Sequence, residues 1–276
     1  MRGADEFEQV RSDPDPVRRA QRATELITRY QQRATELARL RKEAIEEAHG
    51  NGLSYTEIAE LLGVTKGRIS QIKSGAPPAE RAFFGVGPVA VGIPRNSEDE
   101  DGHGTSDAAG RAAREHIEAT LNRLSLASSR FAIEPDDEDV PTGDAVLICG
   151  PESAPVARHL LDADDALGFE NVDGTWHIVE KESGRRIGSS TDSGNRTDIA
   201  FLGRREDQGR VIVHIAALTG AGSLGAAQWL DGNLDTLYEP GTQSTSAAIE
   251  SEVGDDMSVT AGRAVAGPFT KPARNR

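Results

Sequence analysis

A run of hydrogen-bond donors lies between Thr65 and Lys73: Thr65, Lys66, Arg68, Ser70, Gln71 and Lys73, with Gly67 among them. Base edges and phosphates of double-stranded DNA are read by such side chains when a helix carries them on one accessible face. Ile69 and Ile72, three residues apart, point inward from that helix and leave the donors on its other faces. The preceding residues supply what would hold it. Ser54 with Glu57 spells a capping box that starts a first helix. Ile58, Leu61 and Leu62 are expected to form its buried face, with Ala59 small where a second helix must cross. Gly63 takes the turn, where a left-handed backbone costs little only for glycine. Val64 fills the corner and Thr65 caps the second helix. Small residue, turn glycine and apolar positions fall in register, and the reading is a DNA-binding helix-turn-helix.

TEIAELLGVTKGRISQIKS (56–74) resembles the helix-turn-helix of sigma-70 region 4, the part of bacterial sigma factors that reads the −35 promoter element. The resemblance implies Lys66, Gly67, Ser70 and Gln71 toward bases, Thr65, Arg68 and Lys73 near phosphates, and RNA polymerase as a further partner. Aromatic residues are only 4% of the chain. There is thus no aromatic-rich module for binding core polymerase and melting DNA, so a sigma-like regulator is expected rather than a complete sigma factor.

A second set of residues sits at two strand-to-helix turns. Gly150-Pro151-Glu152-Ser153 follows an apolar strand and opens a helix; Thr219-Gly220-Ala221-Gly222-Ser223-Leu224-Gly225 does the same and spells G-x-G-x-x-G. Such turns at the carboxyl ends of parallel strands present backbone amides to ligands. Gly150, Glu152, Ser153, Gly220, Gly222 and Ser223 are therefore candidates for holding a small anionic or nucleotide-like ligand, the alternative being tight packing alone. A dinucleotide site is disfavoured, because no βαβ unit follows and no strand-end acid lies about 20 residues on. Catalytic constellations are weaker. Ala221–Gly225 imitates a nucleophile elbow, but the last histidine, His214, precedes Ser223. The six histidines and the lone Cys149 make no metal-ligand spacing, so no metal, cofactor or catalytic residue is expected and the chain is read as a non-enzyme. Were it an enzyme or defence component acting on a nucleotide-like ligand, Glu152 and Asp198 would be its acids. Asp198 and Arg204 flank Ile199–Leu202 as an ion pair or loop anchor; Cys149 reads as a small buried hydrophobe.

The elements that must position these residues divide the chain. Residues 1–16 read as a disordered terminus. Residues 17–75 read as a long helix followed by the helix-turn-helix, with Leu26, Tyr30, Leu37, Leu40 and Ala44 forming an apolar stripe that either covers neighbours or seams a homodimer. Residues 76–81 form a linker, 82–268 an α/β domain for ligand sensing or assembly, and 269–276 a disordered tail. Strands around 88–93, 145–149, 175–180, 210–218 and 247–253 alternate with helical stretches, which predicts a mostly parallel, Rossmann-like sheet. PPAERAFFG (77–85), VLICGPESAP (146–155), the Trp176 strand with its following SGRRIGSS (183–190), DIAFLGR (198–204) and IAALTGAGSLGAAQWL (215–230) resemble a group of bacterial, actinobacterial-type regulators in which this helix-turn-helix precedes an α/β domain.

The net charge of the 276 residues is −14, which argues against nucleic acid until it is divided. Residues 1–81 hold 14 basic and 13 acidic residues; the remainder hold 17 and 32. The acidity thus belongs to the second domain. No apolar run reaches the roughly 20 residues of a membrane span. The opening MRGADEFEQV lacks a leader's apolar core, and a single cysteine fits a reducing compartment, so a cytoplasmic protein is expected.

Overall fold

The computed structural model describes residues 2–95, 105–190, 196–254, 258–260 and 262–273. The chain forms two compact units, residues 1–78 with 86–88, and residues 79–85 with 89–276.

The first unit is helical. Helix α1 (Arg2–Arg11) lies where a disordered end was expected, because Phe7 stacks on Tyr30 at 5.6 Å and Glu6 pairs with Arg29. Helix α2 (Pro16–Gly50) starts at Asp15, which accepts the amides of Val17 and Arg18, with proline at its first position. The turn after Asn51 leads into α3 (Tyr55–Leu61) and α4 (Lys66–Gly75). Ile45 of α2, Ile58 and Ala59 of α3, and Ile69 and Ile72 of α4 make one buried cluster, with Tyr55 and Val64 packed against it. The expected inner face of α3 is corrected: Leu61 is 76% and Leu62 51% exposed. α3 ends at Leu61, and its contact with α2 and α4 is carried one turn earlier, by Tyr55, Ile58 and Ala59. The stripe on α2 divides likewise, since Leu26 is buried while Leu37 and Leu40 stand exposed.

The expected linker ends at Pro78. Ala79–Phe84 is a 3-10 helix of the second unit, in which Arg81, Phe83 and Phe84 are almost wholly buried and Arg81 donates to the carbonyls of Leu124 and Ser125.

The second unit is built on a seven-stranded sheet from β1 (Val89–Pro94), β2 (Ser128–Ile133), β3 (Asp144–Ile148), β7 (Thr197–Asp207), β8 (Arg210–Ala217), β9 (Thr242–Glu252) and β10 (Arg263–Pro272), in the order β10-β9-β7-β8-β3-β1-β2. Between β3 and β7 the chain adds α6 (Pro155–Asp162) and a small antiparallel sheet of β4 (Leu167–Val172), β5 (Thr175–Glu180) and β6 (Arg186–Ile187). The mostly parallel, Rossmann-like expectation is corrected. β1·β2, β1·β3 and β3·β8 are parallel, whereas β7·β8, β7·β9 and β9·β10 are antiparallel, so the sheet is mixed. A tight turn after Asp207 joins β7 to β8 as a hairpin, which fixes the change of direction.

Alternate residues divide this sheet's two faces. Val89, Val91, Val146, Ile148, Val213 and Ile215 face α5 (Thr105–Arg123) and α7 (Gly220–Leu237). Ala145, Leu147, Cys149 and Ile212 face α6, and Ile199, Phe201 and Ala216 meet Leu167 and Ile178 of the small sheet. Covered on both faces, β3 has no exposed position, which is why it is the clearest strand in the sequence. Glycine lets α7 approach β9: a Cβ on Gly225 would lie 1.9 Å from Ser251 Oγ. The expected tail from 269 begins inside β10, which runs to Pro272; residues 274–276, and most of the loops expected at Arg95–Gly104 and Ser189–Asn195, lie outside the described residues.

Candidate functional site

The helix-turn-helix is held by its own hydrogen bonds. Ser54 N donates to Glu57 Oε2 at 2.8 Å and Glu57 N to Ser54 Oγ at 3.3 Å, a complete capping box. The Ser54 donors hold the Glu57 carboxyl below its ordinary value. Gly63 takes φ +65° in the turn, and Thr65 Oγ1 accepts the Arg68 amide to start α4. With Ile69 and Ile72 buried, Lys66, Gly67, Arg68, Ser70 and Gln71 are exposed. Lys66 and Ser70, and Gly67 and Gln71, are four residues apart and share a face of the helix. Arg68 Nη1 donates to Gln71 Oε1 at 3.2 Å, which aligns a guanidinium with an amide whose NH₂ stays available. Lys73 differs from the other donors. Its Nζ donates to Tyr55 Oη at 2.6 Å and lies 4.3 Å from the Tyr55 ring centroid, and that ring stacks on His49 at 4.0 Å. Lys73 is thus a strut between α4 and α3 as well as a cation near the helix end.

The two turns of the second unit meet. The carboxyl ends of β1, β3 and β8 open into a cleft of about 430 Å³. Of the six residues expected there, Gly150, Glu152, Ser153, Gly220 and Ser223 line it. Gly222 does not; its amide donates to Asp198 Oδ2 at 2.6 Å. The cleft also takes Phe169 of β4 and Trp176 of β5, Cys149, and Arg95 after β1. Phe169 and Trp176 face one another at 6.3 Å, and Trp176 Nε1 donates to Glu152 Oε1 at 3.1 Å. Trp176 lies on an expected strand, but nothing in the sequence sets it or Phe169 beside the two turns, because both arrive on an inserted sheet. Ser223 is 8% exposed, and its hydroxyl makes no hydrogen bond among the described residues.

Asp198 has a positioning task. Buried at 2% exposure, its carboxylate accepts from Ser189 Oγ, the amides of Ile199, Thr219 and Gly222, and the Thr219 hydroxyl. It is the loop anchor of the two alternatives, for Arg204 turns elsewhere, to the carbonyls of Phe83 and Thr242. A carboxylate at the start of α7 occupies the place where that helix would attract an anion. At α6, Pro155 has no N–H and Val156 N is taken by the Asp137 carbonyl. Arg95 is bound to both oxygens of Glu134.

Cys149 and His214 form a further buried polar contact, Sγ to Nε2 at 3.6 Å, while His214 Nε2 donates to the Cys149 carbonyl at 2.9 Å. Burial pushes the thiol up to about 12 and the imidazole down to about 4, the carbonyl bond opposing the latter. Neither a thiolate nor an imidazolium is stable there near neutrality. Among the described residues no group of three or more His, Cys, Asp or Glu could hold a metal ion, and no helix is long and apolar enough to cross a membrane.

Residues 35–76 match the family model of sigma-70, region 4, which spans the second half of α2 with α3 and α4. That match covers a small part of the 276 residues and speaks for the helical unit alone. No curated protein matches the chain at the level of sequence. The chain therefore carries a sigma-70 region 4-like helix-turn-helix, ahead of a sheet-rich second unit.

Proposed function

We propose that this protein is a cytoplasmic, sequence-specific transcription regulator whose α4 enters the major groove and whose second unit senses a ligand or mediates assembly. The observation that carries it is the exposed row Lys66, Gly67, Arg68, Ser70 and Gln71 on a helix fixed by buried Ile69 and Ile72, inside the stretch that matches sigma-70 region 4. Lys66, Gly67, Ser70 and Gln71 face bases; Thr65, Arg68 and Lys73 serve phosphates. Leu37 and Leu40, exposed on α2, support a homodimer that presents two heads to spaced half-sites. Exposed Leu61 and Leu62 beside the head offer apolar surface to RNA polymerase as a second partner.

The second unit binds rather than transforms its ligand in this reading. Cys149 and His214 are held uncharged near neutrality, and Asp198 spends its oxygens on backbone and hydroxyl donors.

The test is an electrophoretic shift with the chain's own upstream DNA and with genomic fragments. Arg68→Ala should weaken binding by about 1–3 kcal/mol and reduce the slope of log affinity against log salt by about one. Gln71→Ala should instead relax preference at one base position. Absence of any shifted fragment at moderate salt overturns the reading.

A further inference from the structure

We propose that the cleft at the ends of β1, β3 and β8 binds a nucleoside-type ligand: a planar heteroaromatic ring bearing an exocyclic amino group, held without a phosphate. This rests on the reading of the second unit as a sensor and names what it senses.

The cleft's volume of about 430 Å³ lies within the range that encloses a small organic ligand. Two of its walls are aromatic. Phe169 and Trp176 are partly exposed, and with their centroids 6.3 Å apart and planes at 60° they offer a face and an edge to a flat ring. The Trp176 indole is held by Glu152 Oε1, so the platform is fixed before a ligand arrives. Glu152 Oε2 has no partner among the described residues and is an acceptor suited to an amino group. Deeper in the cleft, the Ser223 hydroxyl is unpartnered although the residue is more than nine-tenths buried. Its oxygen opens into the cleft, where a ring nitrogen or a ribose hydroxyl bonds it in place of water.

The same geometry weighs against a phosphate. Asp198 sits at the start of α7 and takes the amides of Thr219 and Gly222. Pro155 and the Asp137 carbonyl leave α6 no spare first-turn donor at that point. Glu134 engages Arg95, the cation on the cleft's lining, and Glu152 adds a further negative charge to it. An anion would meet the Glu152 carboxylate and a cation already engaged by Glu134; an amino-bearing base meets an acceptor, a hydroxyl and two aromatic rings.

Equilibrium dialysis of the full chain against adenosine, guanosine, cytidine, uridine, AMP and inorganic phosphate tests this. At least one amino-bearing nucleoside should bind saturably. Uridine should bind at least tenfold more weakly, AMP no more tightly than adenosine where adenosine binds, and phosphate not at all. Glu152→Ala and Ser223→Ala should each weaken the nucleoside roughly tenfold or more, with thermal unfolding confirming that both variants fold. No nucleoside binding, phosphate binding alone, or affinity unmoved by both variants overturns the proposal. The sensor reading fails separately. Nucleosides that bind without altering the operator shift remove the regulation but keep the site, whereas a shift that answers only to other metabolites keeps the sensor and removes the nucleoside.

Discussion

Asp198→Ala should lower the stability of the second unit by roughly 3–5 kcal/mol, a fall of about 10 °C in its thermal transition for a unit of this size. One side chain closes the loop before β7, the start of β7 and the first turn of α7, by accepting from Ser189, Ile199, Thr219 and Gly222. Truncation leaves the buried amides of Ile199 and Gly222, the Thr219 amide and two hydroxyls without their acceptor, and each buried group costs about 1–3 kcal/mol before the site relaxes. Asp198→Asn separates charge and acceptors from volume. Its NH₂ would point at the Gly222 amide or, flipped, at those of Ile199 and Thr219, donor against donor, so the near-isosteric change should recover little. Circular dichroism during heating reads both variants. A shift of under about 2 °C for either would mean that the carboxylate does not hold α7. Because Thr219 and Gly220 line the cleft, the same variants should also weaken whatever binds there, whereas the helix-turn-helix should shift DNA as before.

The first unit was legible because local chemistry determines it. The capping box at Ser54 and Glu57, the left-handed Gly63 and the cap at Thr65 are all written in neighbouring residues and all form. What failed there was long-range. Whether Leu61 and Leu62 are covered depends on where α2 and α4 end up, which no periodicity on a seven-residue helix contains. In the second unit, β3 and β5 were visible, because one is apolar throughout and the other alternates between turns. Of the antiparallel half, β8 and part of β9 were visible, whereas β7 and β10 were not. β10 contains Gly267 and Pro268 and departs from regular register at several points, which reads as a loop although an edge strand tolerates it. The Gly-rich segment at 220–225 was placed before α7 and lies inside it; Gly222 and Gly225 are there because Asp198, Ala217 and Ser251 come too close for a side chain. That is why a G-x-G-x-x-G pattern could suggest phosphate binding while the geometry reserves the helix start for an internal carboxylate. The two turns border one cleft, which their separate positions in the sequence do not state, and Phe169 and Trp176 reach its opposite wall only through the pairing of β4 with β5.

The charge division has a parallel consequence. With Glu80 and Arg81 in the second unit, a head of 13 basic and 12 acidic residues gains little from a long-range field, so its affinity rests on the few donors of α4 and their repetition in an assembly. Those donors differ in freedom. Arg68 and Gln71 are linked to each other and otherwise open, while Lys73 must keep or exchange its bond to Tyr55 on reaching a phosphate. Salt dependence should therefore respond more to Arg68 than to Lys73.

Acid should unfold the second unit in a window that belongs to His214. The imidazole is 3% exposed and its value is lowered by burial from 6.5 to about 4. In the unfolded chain the ring takes a proton as pH falls through 6.5; in the folded unit it does so only near 4. Protons therefore favour unfolding throughout that interval. The stability that comes from keeping His214 neutral is full above pH 6.5 and declines by about 3 kcal/mol by pH 4. Carboxylates held low by arginine, such as Glu134 and Glu180, lose their contributions only as pH drops through their own depressed values, so they leave the interval between 6.5 and 4.5 to the histidine. Cys149 gives the opposite limb: raised from 9 to about 12 by burial, its thiol keeps its proton when folded and loses it first when unfolded, so stability should decline again as pH rises above 9. One buried contact thus bounds a plateau between about pH 6.5 and 9. Urea unfolding at half-unit pH steps measures it, and His214→Gln, which can still donate to the Cys149 carbonyl, should flatten the acid limb while leaving the alkaline one. An acid limb unchanged in that variant would assign the loss to the carboxylates instead.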